Sequence, residues 1–174
     1  MTTPLLMKTE IFFKKSIIDD NVDSENIKKL IIRATEVNLY DILGTRLYNK
    51  ICTDAAANTI TGYYKTLLDD YIQTFLTYWV ESYAPSELSY RITNKGTVQK
   101  NSQDSNQASD LEISRLTKAK ESMAQSFGDK MVKYIKNNLI QFPEYQSIVE
   151  PYGSMPKNSY PGSIWLGRKK NCGY

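Results

Sequence analysis

The sequence predicts a mainly α fold, a helical bundle of about four to five helices with an extended arm or small β-hairpin and irregular termini. Apolar residues recur at helical spacing in three long segments, and glycine or proline lies near the end of each. Apolar residues make up 41% and charged residues 24% of the 174, as in ordinary globular domains. One hydrophobic core is therefore expected.

Residues 1–22 are interpreted as an N-terminal arm, irregular or a short strand, that carries the apolar stretch at 11–13 and leads into a turn. A helical domain is predicted over 23–150. Asp23 or Ser24 caps its first helix, which runs through Leu39. The buried face of this helix is predicted from residues at i, i+3, i+4 and i+7 spacing, namely Ile27, Leu30, Ile31 and Ala34.

Gly44 interrupts the helical pattern and predicts a helix-turn-helix corner, after which a second helix starts from a Thr45 cap. Residues 53–62 are predicted to form a loop. From 63 to 84 the apolar residues cover two faces, which is typical of a central helix, and Pro85 is expected to end or kink it. The two faces are Tyr64, Leu68, Tyr71, Phe75 and Tyr78, and Ile72, Leu76, Trp79 and Tyr83.

A further short helix is expected at 86–92 and a strand or hairpin arm at 97–99. Residues 101–109 include no apolar residue larger than alanine, so they are predicted to form a mobile loop. Asp110 then opens a long helix to about Leu139, and Pro143 closes this region. One buried stripe is predicted along this helix from Leu116, Met123, Phe127, Met131, Ile135 and Leu139.

The composition argues against catalysis. The chain has no histidine, which excludes His-dependent nucleophilic catalysis and ordinary zinc sites. Residues 19–25 resemble a calcium loop at three oxygen positions but lack its glycine and its terminal glutamate, so a turn and helix cap is favoured. Asp69 and Asp70 point about 100° apart on a helix and form no shared site. No catalytic residue, metal site or cofactor is predicted.

Cellular location follows from cysteines and hydropathy. Cys52 and Cys172 form no disulfide framework, which favours a reducing cytoplasm. Nothing approaches the roughly 20 apolar residues of a membrane span, so no membrane association is expected.

Residues 151–174 are interpreted as an extended C-terminal tail. They contain four basic residues and no acidic residue, whereas the whole chain carries a net charge of only +3. Prolines and glycines break up any helical period in this tail. Aromatic and arginine side chains are enriched at binding hot spots, so the tail is a candidate partner-binding segment. Its candidate residues are Tyr160, Trp165, Arg168, Lys169 and Lys170.

Several stretches, taken in order, resemble the head-to-tail connector (adaptor ring) proteins of tailed bacteriophages, in particular those of crAss-like phages. The corner at 40–48 resembles their Leu-Gly-x-x-Leu-Tyr motif, and similar matches follow at 63–72, 88–96 and 142–145. The resemblance covers about residues 10–146 and does not include the tail.

The resemblance implies a non-enzymatic structural protein of the virion, assembled in the host cytoplasm. Such subunits form homo-oligomeric rings, commonly dodecamers, between the portal protein and adjacent connector or tail proteins. DNA passes through the lumen without sequence readout. Two other hypotheses stay open from the residues alone. The basic tail is compatible with a small helical nucleic-acid-binding or regulatory protein, and the acidic residues are compatible with a metal-dependent enzyme.

We expect deletion of residues 151–174 to leave the helical core folded while weakening assembly with the adjacent connector or tail protein, because a segment without a helical period gains little from local packing. Circular dichroism reports on the core and particle assembly reports on the partner. Unfolding of the truncated chain would assign the tail to the folded domain. Unchanged assembly would exclude the docking role.

Overall fold

Helices dominate the computed structural model, which describes residues 5–93, 96–99 and 110–145. The predicted mainly α bundle is confirmed. Its helices are α1 (Thr9–Lys15), α2 (Ser24–Ala34), α3 (Tyr40–Ala56), α4 (Gly62–Thr66), α5 (Gln73–Ser89) and α6 (Asp110–Asn137), and its strands are β1 (Tyr90–Thr93) and β2 (Gly96–Gln99). The loop predicted at 101–109 and the tail at 151–174 lie outside the described residues.

The N-terminal segment differs from the predicted arm. Residues 9–15 form a helix, and Leu6, Met7 and Phe12 are buried in the same core as the later helices. A helix of seven residues completes only about two turns, which is too short for its periodicity to be recognised in the sequence. The domain therefore begins before residue 23.

α2 and α3 form one bent helical unit. The Asp23 side chain caps α2 by accepting a hydrogen bond from the Glu25 backbone N–H at 3.0 Å, as predicted. A π-helical turn, Thr35–Leu39, connects α2 to α3. Gly44 then has φ +70° and ψ 162°, a conformation available to glycine and not to other residues, so the predicted corner is confirmed. α3 continues to Ala56, beyond the predicted loop start.

α4 and α5 form the central helix, joined by a second π-helical segment, Leu67–Ile72. Pro85 does not end it, because α5 continues to Ser89. Proline here lies one turn before the end, where its missing N–H removes a single helical hydrogen bond. β1 follows at once, so the further helix expected at 86–92 is wrong. β1 and β2 pair antiparallel, with Tyr90 opposite Gln99, and β2 contains the strand or hairpin arm predicted at 97–99.

α6 packs antiparallel against the central helix. The ring of Tyr134 stacks on Tyr71 at 4.6 Å, and that of Phe127 on Tyr78 at 5.3 Å. At the far end a 3-10 turn, Leu139–Gln141, places the buried Phe142 against Tyr64. The C-terminal end of α5 and the N-terminal end of α6 are therefore at one end of the bundle and Phe142 is at the other.

The apolar stripe predicted on α6 is only partly buried. Met131 and Ile135 are fully buried, whereas Leu116, Met123 and Leu139 are 44%, 48% and 49% exposed. Successive four-residue steps advance by about 40° around a straight helix, so the stripe winds away from the core toward its ends. On the central helix the buried apolar residues are Leu67, Ile72, Phe75, Leu76, Val80 and Ala84. Trp79, predicted as core, is only partly buried.

Phe75→Ala is expected to lower the free energy of unfolding by about 3–5 kcal/mol, because it leaves a cavity where a 1% exposed ring packs. Asp70→Ala, an exposed change on the same central helix, is expected to stay within about 0.5 kcal/mol. Urea melts of both variants measure the difference. Equal losses would mean that the core is placed wrongly.

Candidate interaction surfaces

The five residues proposed for partner binding from the sequence, Tyr160, Trp165, Arg168, Lys169 and Lys170, lie outside the described residues. The described part of the chain contains no cluster of acidic or cysteine side chains able to hold a metal ion. Burial raises the pKa of the Cys52 thiol, which makes it a poor nucleophile. Two surface grooves border the α5–α6 pair in this part of the chain.

A buried carboxylate organises one of these surfaces. Glu81 on α5 is 4% exposed and receives hydrogen bonds from three directions. The Ser16 hydroxyl donates at 2.8 Å, the Ile17 backbone N–H at 3.0 Å, and the Lys120 ammonium from α6 at 2.6 Å. The carboxylate therefore joins the N-terminal segment, the central helix and α6 at one point.

This arrangement was not predicted, although Glu81 interrupts the apolar pattern of the central helix. An acidic residue at a helix position is usually exposed, so its sequence position alone does not indicate burial. The Lys120 side chain is 13% exposed and that of Glu81 is 3% exposed, so solvent screens the pair weakly. Burial of both ions is costly, and the pairing with two further donors offsets that cost.

The first groove, here called the apolar groove, lies beside this ion pair. It has a volume of about 430 Å³. Ile17 is 77% exposed and Leu116 44% exposed, which is unusual for large aliphatic side chains with a core nearby. The lining residues are Ile17, Ile18, Glu81, Ala84, Pro85, Leu88, Leu116 and Lys120. Because its two charges neutralise each other, the groove is suited to an apolar partner segment.

The second groove, here called the acidic groove, lies between α6, the central helix and the turn joining α2 to α3. It has a volume of about 270 Å³, and Val37, 56% exposed, stands at its edge. The lining residues are Val37, Asn38, Asp41, Ile42, Phe75, Trp79, Gln125, Gly128, Asp129 and Val132. Both charged residues in this lining, Asp41 and Asp129, are acidic and exposed.

Trp79 lines the acidic groove and has an unsatisfied hydrogen-bond donor. Its indole nitrogen is buried and has no hydrogen-bond partner among the described residues. A buried donor without an acceptor costs about 1–3 kcal/mol. The ring itself packs against Phe75 and Tyr83, and the Tyr83 hydroxyl donates to the Asn38 side chain at 2.6 Å. These contacts hold the indole in place despite the missing partner.

The two grooves open on opposite sides of the α5–α6 pair. On α6, Leu116 and Lys120 of the apolar groove are about 40° apart around the helix, whereas Gly128 and Val132 of the acidic groove lie about 120–160° from Leu116. Positions on α5 give the same separation of roughly 150° between the two linings. The apolar groove and the acidic groove thus lie on opposite sides of the molecule's α5–α6 pair.

The sequence-derived calcium-like segment is a turn and cap. Asp23 caps α2, and the Asp19 side chain accepts from the Asn21 backbone N–H. Asp69 likewise serves structure: its carboxylate pairs with Lys65 at 3.1 Å, and its backbone carbonyl accepts from Lys15. Neither segment brings together ligands for an ion.

The chain was compared with known protein families. Residues 39–150, more than half of the chain, match DUF6712, a family of unknown function. The chain belongs to this DUF6712 family. No curated protein and no solved structure matches it. The matched region, residues 39–150, includes helices α3 to α6 and therefore most residues that line the acidic groove. Ile17 and Ile18 of the apolar groove precede it.

No helix among the described residues is long and apolar enough to cross a membrane.

Lys120→Met is expected to lower the free energy of unfolding by about 3–5 kcal/mol, because it leaves the Glu81 carboxylate buried without a cation. The double variant E81Q/K120M is expected to recover most of this loss, since a Gln oxygen still accepts from Ser16 and Ile17. Lys65→Met, which removes an exposed cation from its pair with Asp69, serves as the control and is expected to cost less than about 1 kcal/mol. Guanidinium melts measure all three. A double variant as unstable as Lys120→Met would contradict the ion-pair argument.

Proposed function

We propose that this protein is a non-enzymatic subunit of a homo-oligomeric head-to-tail connector ring in a tailed bacteriophage. In this proposal copies of the chain, commonly twelve, form a ring between the portal protein and adjacent connector or tail proteins. DNA passes through the lumen without sequence readout. The protein is located in the virion and is assembled in the host cytoplasm.

The observation that carries the proposal is the pair of unlike grooves on opposite sides of the α5–α6 pair. A closed ring is built from heterologous contacts, in which one surface of a subunit meets a different surface of the next. A subunit therefore needs two separate contact surfaces that face apart. The apolar groove and the acidic groove meet that requirement in position and differ in charge.

The ordered sequence matches from residue 40 to residue 145 support the same proposal. These matches begin at the corner that contains Gly44. The positive φ of Gly44 changes the direction of the chain within α3. The helical core adds rigidity, because Glu81 of α5 joins the segment that follows α1 to α6. A rigid subunit with exposed apolar grooves is suited to a structural assembly.

Mass spectrometry of purified virions is expected to detect the protein, and electron microscopy is expected to show it in a ring at the capsid-tail junction. Its absence from purified virions would overturn the connector proposal. A monomeric state of the isolated chain would not, because ring closure depends on concentration and on binding to the portal. Specific retention on a defined nucleic acid without virion incorporation would favour the regulatory alternative.

Leu116→Glu is expected to reduce ring formation, because it places a charge on the exposed wall of the apolar groove. Ile140→Glu is the matched control: Ile140 is 93% exposed at the opposite end of α6 and lines neither groove. Circular dichroism verifies that both variants fold, and electron microscopy counts closed rings. Equal ring counts for the two variants would exclude the apolar groove as a subunit contact.

A further inference from the structure

The acidic groove has a partner of complementary chemistry within the sequence of the same chain. The tail contains the apolar run Ile164, Trp165 and Leu166, followed after one glycine by Arg168, Lys169 and Lys170. We propose that residues 164–170 of one copy dock in the acidic groove of a neighbouring copy. This inference rests on the proposed function, because the docked segment comes from a neighbouring copy in the ring.

Apolar complementarity is the first argument. The groove exposes the side chain of Val37 and is further lined by Ile42, Trp79 and Val132. Its volume of about 270 Å³ is slightly below the range typical of small-molecule pockets, which fits one or two side chains of a bound segment. A tryptophan flanked by aliphatic residues supplies such an anchor.

Charge is the second argument. Asp41 lies on α3 and Asp129 on α6, so the two carboxylates stand on different walls of the groove. Within the described part of the chain neither one forms an ion pair or a side-chain hydrogen bond. The proposed occupant carries three cations and no anion over residues 164–170. Such exposed pairs add little affinity each, but they fix the direction in which the segment lies.

Reach and symmetry are the third argument. The described chain ends at Tyr145, and the 20 residues from there to Trp165 span at most about 70 Å when extended. That length is sufficient to reach an adjacent subunit. A basic segment and an acidic groove on the same chain are unlike, complementary surfaces, so contact between copies propagates in one direction, as a ring requires.

The test uses two full-length variants, each with one accessible engineered cysteine. One carries Gln125→Cys in the groove and the other Gly167→Cys in the tail, both with Cys172→Ser; Cys52 is buried. After mixing, a short bismaleimide is expected to join residues 125 and 167, a product that is necessarily intermolecular. Peptide mass spectrometry identifies the linked residues. D41N/D129N is expected to lower the yield roughly fivefold, and the equal charge change D20N/D70N to leave it unchanged.

Each other outcome overturns the inference. A third variant carries both Gln125→Cys and Gly167→Cys; a link that forms within this variant but not between the two single variants would place the tail in its own groove. A predominant link between two copies of residue 125 would indicate a different contact between copies. No link to residue 167 at all would exclude tail docking. Electron microscopy of the same samples separates this result from the ring proposal: rings without the link refute only the docking, whereas the link without closed rings supports the docking and leaves the ring to be tested on purified virions.

Discussion

The buried carboxylate of Glu81 is the constraint on which the arrangement of the other elements depends. A charge at this depth is tolerated only with complete pairing, and its donors come from the N-terminal segment and from α6. The distances of 2.6–3.0 Å leave little freedom for either segment to shift along α5. The position of α6 is therefore fixed by the hydrogen bond from Lys120 to Glu81 as well as by apolar packing.

Both grooves follow from this placement of α6. On one side, the Ile17 N–H must reach Glu81, which leaves the Ile17 side chain pointing outward as a wall of the apolar groove. On the other side, α6 approaches α3 and α5 closely at Gly128, where an added Cβ would lie 3.2 Å from Ile42 Cδ1 and from Phe75 Cε2. An added Cβ there would require the Ile42 and Phe75 side chains to shift by a few tenths of an ångström. The glycine at 128 therefore allows a close approach of α6 to these two side chains, which line the acidic groove.

Sequence periodicity predicted the helices well and the surfaces poorly. The Gly44 corner, the Asp23 cap and the strand at 97–99 depend on local chemistry, so they could be predicted. The burial of Met7 and Phe12 depends on contacts with residues far along the chain, as in the hydrogen bond of Thr77 to Met7, and periodicity over seven residues does not reveal it. Glu81 and Lys120 are 39 residues apart, so neither sequence position identifies the other as its partner. The grooves arise from such long-range contacts and had no sequence signal.

The modest size of each groove bears on how a ring would hold together. One aromatic anchor and two solvent-exposed ion pairs give a weak contact between two free copies, and salt weakens it further. In a closed ring every subunit is held on both sides, so its release breaks two contacts at once, and the second contact forms at a high effective concentration. Weak individual contacts also let a wrongly placed subunit dissociate before closure. A rigid core with small, directional grooves is therefore compatible with an assembly that is reversible while it grows and stable once it is complete.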